Sequence, residues 1–160
     1  DTLLGGDCDD RLAGGLGADT GEGGVGNELI YGGNEATSNF GQPADPGGDA
    51  LSGGAGNDYI SDNGTGDDTL SGGAGDDYLY NGNGVDKLSG DIGNDYFFVG
   101  DYDFAADTVS GGDGIDRASY ANTYNSVVID RWDTYIDTAA TLRSRCAAMC
   151  LRVVGDGVLT

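Results

Sequence analysis

The chain has 160 residues, 28 acidic against 7 basic side chains, no histidine, a formal charge of −21 and a pI of about 4.1. That length suits one architecture rather than two independent cores, and the charge argues against nucleic acid or an anionic membrane as partner and leaves cations as the natural ones. Without histidine there is no Ser-His-Asp, Cys-His or HExxH chemistry, and no run of eighteen apolar residues is present to span a bilayer.

Glycine fills 32 positions, while proline occurs only at Pro43 and Pro46. Such a composition with so much charge ordinarily gives disorder, but a period of nine argues otherwise. Asp1-Thr2-Leu3-Leu4 reads as the tail of a repeat unit, as expected of a piece of a longer protein. In chain order there follow GGDCDDRLA from Gly5, GGLGADTGE from Gly14 and GGVGNELIY from Gly23. After a break come GGAGNDYIS from Gly53, NGTGDDTLS from Asn63, GGAGDDYLY from Gly72, NGNGVDKLS from Asn81, GDIGNDYFF from Gly90 and GGDGIDRAS from Gly111.

Each unit divides into a turn and a strand. Glycines at places one, two and four, among them Gly53, Gly54, Gly56, Gly64, Gly66, Gly72, Gly73, Gly75, Gly82, Gly84, Gly93, Gly112 and Gly114, permit positive φ and close backbone approach, so carbonyls can be aimed at a common point. The last three residues alternate outward and inward as a very short strand. Place eight reads Leu3, Leu12, Ile30, Leu51, Ile60, Leu70, Leu79, Leu88, Phe97, Val109 and Ala118, and this column is the expected core. Two units make one coil, so alternate turns stack on one edge and strands of successive coils pair in parallel.

These strings resemble the RTX, or haemolysin-type, nonapeptide GGxGxDxUx, in which U is a large apolar residue. The resemblance covers about residues 1–119 and implies an all-β fold, a right-handed parallel β-roll (β-solenoid). It also implies Ca2+ held by the place-six acid and turn carbonyls of two stacked turns, and type I secretion from a bacterium to the cell surface or exterior.

Place six carries Asp10, Asp19, Glu28, Asp49, Asp58, Asp68, Asp77, Asp86, Asp95, Asp107 and Asp116. Stacking sets Asp49 over Asp68, Asp58 over Asp77, Asp68 over Asp86 and Asp77 over Asp95, and carboxylates so placed need a cation between them. Calcium suits them, since it takes six to eight hard oxygens, carbonyls included, where magnesium demands stricter octahedra and zinc prefers nitrogen or sulfur. Adding Asp86/Asp107, Asp95/Asp116, Asp1/Asp19 and Asp10/Glu28 gives at most about eight ions. An EF-hand is rejected: Asp101-x-Asp103 has neither the sixth-place glycine nor the closing glutamate.

Departures from the pattern are local. Gly21 stands in the core column, Cys8 replaces a fourth-place glycine, and Glu28 replaces Asp, so the N-terminal turns are expected to bind less tightly than those from 53 to 98. Residues 32–52 lose register and hold both prolines, which predicts a loop inserted in the roll rather than a break into two. Residues 120–160 are expected to cap the roll. That segment has a longer strand from Tyr120 to Asp130 and a short helix from Thr141 to Val153, with Leu142, Cys146, Met149 and Val153 on one face. Cys8, Cys146 and Cys150 form no CxxC pair and read as small apolar or exposed thiols, with Cys146 and Cys150 placed to meet on one helical face.

Functionally the sequence predicts no enzyme in this chain. It reads as a calcium-binding structural, surface or adhesive module whose target could be a cell-surface component, a glycan or further copies of itself. The alternative is a C-terminal calcium-dependent secretion or folding domain of a larger secreted enzyme or toxin.

Overall fold

The computed structural model describes residues 1–33, 45–99 and 106–120, and the strand backbones at 128–130, 136–137 and 152–154. Two parallel sheets face each other. One contains, in spatial order, β1 (Thr2–Asp7), β3 (Thr20–Val25), β5 (Ala50–Ala55), β7 (Thr69–Ala74), β9 (Lys87–Ile92), β11 (Thr108–Asp113), β13 (Val128–Asp130) and β15 (Arg152–Val154). The other runs β2 (Arg11–Ala13), β4 (Leu29–Tyr31), β6 (Tyr59–Ser61), β8 (Tyr78–Tyr80), β10 (Tyr96–Val99), β12 (Arg117–Tyr120) and β14 (Ile136–Asp137). The chain alternates between sheets at every turn, which makes it the expected parallel β-solenoid, and no helix occurs among the described residues.

The strands are unequal, unlike the uniform three-residue strands expected. In the first sheet each of the strands from β1 to β11 runs on through the opening triplet of the next unit, Gly-Gly-x except for Gly90-Asp91-Ile92 in β9, as in Ala50-Leu51-Ser52-Gly53-Gly54-Ala55. Pairing skips one place there: Ser52 aligns with Ser71 and Gly54 with Gly73. The skip depends on backbone that only glycine adopts easily, with φ of 113° at Gly54 and 137° at Gly56. In the second sheet β2, β4, β6 and β8 each turn after three residues. We call the turns that leave the six-residue strands the first edge and those that leave the short strands the second edge.

One inward side chain per strand fills the space between the sheets. Ile30, Leu51, Ile60, Leu70, Leu79, Leu88, Phe97, Val109 and Ala118 are buried, and Leu3 and Leu12, at the N-terminal end of the stack, are half-buried. Val99 joins this core although the column did not include it. A fully buried Leu or Ile contributes about 1.5–3 kcal/mol, so a core one residue deep per strand is thin. Gly21 leaves no void, because a Cβ there would already touch Leu51 at 3.2 Å and Ile30 at 3.5 Å. On the outer face of the short-strand sheet Tyr59, Tyr78 and Tyr96 stack at 5.0 and 5.1 Å, and Tyr80 stacks on Phe98 at 5.1 Å, adding cross-strand aromatic contacts at each step.

The roll continues across the inserted segment: β3 pairs with β5 and β4 with β6, so Thr20 meets Ala50 and Ile30 meets Ile60. Of the loop expected over residues 32–52, residues 50–52 lie instead in β5 and residues 34–44 lie outside the described residues. Two expectations at the C-terminus need correction. The longer strand from Tyr120 to Asp130 is instead divided between the sheets, β12 ending in one and β13 lying in the other. The helix to Val153 ends in strand, since Arg152–Val154 pairs with Val128–Asp130. An exposed parallel edge offers unpaired backbone groups, and β-branched Val153 and Val154 suit a strand against it. The rest of that helix, with Cys146 and Cys150, lies outside the described residues.

Candidate metal centre

Each place-six acid stands just before a strand, where the parallel register holds it directly beside its counterpart one coil away. One carboxylate oxygen, Oδ1, accepts the backbone N–H of the acid in the preceding coil. The Asp49 N–H donates to Asp68 at 2.7 Å, Asp58 to Asp77 at 2.8 Å, Asp68 to Asp86 at 2.9 Å, Asp77 to Asp95 at 2.9 Å, Asp86 to Asp107 at 3.0 Å and Asp95 to Asp116 at 2.9 Å. Two further pairs span the insert, Asp19 to Asp49 at 2.8 Å and Glu28 to Asp58 at 2.9 Å. Spacing by eighteen or so residues missed both, because they lie 30 residues apart in sequence. At the N-terminal end the Asp1 amine meets Asp19 Oδ1, and the pairing of Arg11 with Leu29 sets Asp10 beside Glu28.

The second carboxylate oxygen has a different environment. Oδ2 of Asp10, Asp19, Asp49, Asp58, Asp68, Asp77 and Asp95, and both oxygens of Glu28, are buried and have no hydrogen-bond partner. Leaving a buried anionic oxygen unpaired costs more than the ~1–3 kcal/mol of a neutral group. Of these oxygens, those of Asp10, Asp19, Glu28, Asp58, Asp77 and Asp95 lie at the first glycine of their own unit, and that of Asp49 at Gly32. A Cβ on Gly53, Gly72, Gly90 or Gly111 would strike the Oδ2 of Asp58, Asp77, Asp95 or Asp116 respectively, and on Gly53 or Gly90 also a glycine carbonyl of the next coil. The glycine makes room for carboxylate and carbonyl oxygens to converge.

The remaining predicted glycines divide by edge. Gly54, Gly56, Gly73, Gly75, Gly93, Gly112 and Gly114, on the first edge, hold positive φ, as does Gly84 on the second. Gly64, Gly66 and Gly82 do not, but a Cβ on each would strike a backbone carbonyl, of Asp45, Gly47 and Gly64 in turn. Cys8 and Asp91, which stand where the motif has glycine, nevertheless take φ of 83° and 75°.

Burial, with neighbouring carboxylates adding to it, moves these acids far from their ordinary range. Glu28, Asp49 and Asp77 are pushed up to about 7, and Asp68 and Asp95 to about 6. Desolvation is the largest cause in each. Groups so poised either hold a proton or need a positive charge beside them. The donor set is entirely hard oxygen, from carboxylates and carbonyls, which fits Ca2+ and does not fit zinc.

Reading by place six overlooked three side chains and one ladder. Asp45 and Asp62 are buried on the second edge, and the ligand-capable oxygens of Asp19, Asp45 and Asp49, and likewise of Asp49, Asp62 and Asp68, lie within 4.8 Å of one another. Asn81, also buried, donates its amide to Oδ2 of Asp86 at 2.9 Å and of Asp107 at 3.3 Å. On the first edge, place five forms an exposed ladder in which Asn27 N–H reaches Asp9, Asn57 reaches Asn27, Asp76 reaches Asn57, Asn94 reaches Asp76 and Ile115 reaches Asn94, all at 2.8–3.0 Å. The recurrence of Asn or Asp at place five in alternate units was the available signal.

A family model for the RTX calcium-binding nonapeptide repeat matches the chain in 4 copies, over residues 1–21, 44–64 and 62–97. No curated protein and no solved structure matches it. Nonapeptides in register, parallel coils and acid-lined glycine turns agree with that match, and the chain carries RTX calcium-binding repeats folded as a parallel β-roll.

Proposed function

We propose that the chain is a calcium-dependent structural module that works outside the bacterial cell, on the cell surface or as part of a secreted protein, and folds when Ca2+ enters its turns. The observation that carries this reading is the row of buried carboxylate oxygens without hydrogen-bond partners, repeated coil after coil on both edges. The ligands are the place-six acids from Asp10 to Asp116 with carbonyls of the glycine turns between which they stack. Counting the two pairs across the insert raises the ceiling above the eight intervals read from spacing.

When bound, calcium supplies the positive charge that these carboxylates otherwise lack. The chain's own residues do the rest: where a unit opens on glycine that glycine clears the space, Oδ1 fixes the carboxylate by accepting the neighbouring N–H, and Oδ2, save in Asp86 and Asp107 where Asn81 donates to it, is left to face the ion. At the low calcium of a cytosol, repulsion and glycine entropy favour the unfolded chain; at extracellular millimolar calcium, binding drives folding. The folded roll is then a rigid surface for a cell-surface component, a glycan or a further copy of the chain. No catalytic step is assigned to it, because the carboxylate pairs serve as ligands.

Calorimetric calcium titration with native mass spectrometry of the loaded chain tests this. Several bound ions, with strand signal rising in step, are expected. A chain that takes up no calcium at millimolar concentration would refute it.

A further inference from the structure

The two edges of the roll carry different numbers of carboxylates. On the first edge each interval between coils has two acids, such as Asp58 and Asp77. On the second edge Asp45 and Asp62, neither of them at place six, each bring a third. Asp62 follows β6 directly, and its N–H donates to the Tyr80 carbonyl at 2.9 Å. It therefore occupies the column that holds Gly14 and Gly32 in earlier coils and Asn81 in the next.

Clustering alone would mean little, but the oxygens are individually accounted for. Oδ1 of Asp45 accepts the N–H groups of Gly17 and Gly47, both at 2.9 Å, and Oδ1 of Asp62 accepts that of Gly64 at 2.6 Å. Oδ1 of Asp49 and Asp68 accept the N–H groups of Asp19 and Asp49. Oδ2 of all five acids, Asp19, Asp45, Asp49, Asp62 and Asp68, is buried without a hydrogen-bond partner, and none of the five residues is more than 5% exposed. Each triplet thus presents three uncommitted anionic oxygens to one another.

We propose that Asp45 and Asp62 convert these two intervals into three-carboxylate calcium sites, Asp19–Asp45–Asp49 and Asp49–Asp62–Asp68, which share Asp49 and fill before every other site in the roll. This rests on the reading that the turns bind calcium and adds an order of affinity within them. Calcium sites tighten as formal ligand charge rises, and a third carboxylate in a buried, low-dielectric turn is a strong addition. Asn81 gives the contrast: in the same column one coil on, a neutral amide spans Asp86 and Asp107, so that interval gains no third charge.

Calcium titration of the full chain, by calorimetry and by displacement of tyrosine-sensitised Tb3+ luminescence, tests the order. The unaltered chain should show a tight class of two ions, at least about tenfold tighter than the remainder. Asp62→Asn and Asp45→Asn should each remove one ion from that class. Asp62→Gly, which restores the glycine found in earlier coils, should do the same while the calcium-saturated chain keeps its strand signal. A single affinity class in the unaltered chain, or a tight class that still holds two ions in both Asp62 variants, overturns the proposal. A chain that binds no calcium at all overturns instead the reading on which it rests.

Discussion

Stripping calcium from the chain should cost it the fold at pH 8 but not near pH 4. The magnitude follows from the buried acids. Desolvation lifts Asp77 from its ordinary 3.8 to about 7, and at ~1.4 kcal/mol for each pH unit its ionised form weighs against the folded state by about 4 kcal/mol. Glu28, Asp49 and Asp62 also reach about 7, and Asp68 and Asp95 about 6. Even if each contributed only about a third of the Asp77 figure, their sum would reach the ~5–15 kcal/mol that holds an ordinary domain together.

The sign is set by which state keeps its protons. Below about pH 4 these carboxyls are protonated in both states and exact no penalty. Between about 4 and 7 the unfolded chain releases protons first, so the folded state loses stability as pH rises. Above about 7 the whole penalty is present unless a cation offsets it. Far-ultraviolet circular dichroism of the chelated, desalted chain from pH 4 to pH 9 should therefore lose strand signal through this window. In millimolar calcium the signal should be flat near neutrality. A calcium-free chain with full strand signal at pH 8 would refute the reasoning, since it would mean that these carboxylates are tolerated without positive charge.

Leu79→Ala, in the middle of the core column and fully buried, should lower stability by about 2–5 kcal/mol in urea unfolding of the calcium-saturated chain. Cys8→Gly should raise it by about 1 kcal/mol in the same assay, since Cys8 holds a φ of 83° that suits glycine. Gly72→Ala puts a Cβ against Asp77 Oδ2 and should weaken calcium binding in that turn at least about tenfold by calorimetry, through lost ligand geometry. Asn57→Ala removes the acceptor of the Asp76 N–H, 2.8 Å away on the exposed face. It should cost about 1 kcal/mol and leave calcium stoichiometry unchanged.

The residues that read most clearly in the sequence were those that repeat with the coil. Leu51, Ile60, Leu70 and Leu79 stand nine or ten places apart, and because one coil differs from the next only by translation, a column in sequence is a column in space. What periodicity hid was whatever broke it. Asp19 and Asp49 are stacked although 30 positions apart, because pairing resumes after the insert without altering its register. Asp62 fell between two units and so belonged to no place, yet the extra residue carries it into the column of Gly14, Gly32 and Asn81, beside the acids. Strand length was hidden too, since identical Gly-Gly-x triplets extend β5 and β7 on the first edge while Gly14-Gly15 on the second edge does not extend β2. At the C-terminus the helical spacing of apolar residues was offset by the open edge of β13, which Val153 and Val154 cover as a strand.

Departures from the motif also bear on how the folded state coheres. In a solenoid each coil touches only its neighbours, so cooperativity depends on what passes from one interface to the next. A core one side chain deep transmits little. The place-six acids do more, because each takes part in two intervals: Asp68 receives the N–H of Asp49 on one side and directs its own N–H to Asp86 on the other. An ion that fixes one such carboxylate fixes backbone in both adjoining coils, so binding in one turn prepares the next. Asp49 has the widest reach, since it lies where the chain returns from the insert and belongs to both acid triplets. On the proposed function, the residue at which the roll resumes after the insert is thus also the one that serves two ion sites. On the same proposal, residues 1–31, whose core is interrupted at Gly21, gain from ions at Asp19/Asp49 and Glu28/Asp58 a connection to the later coils.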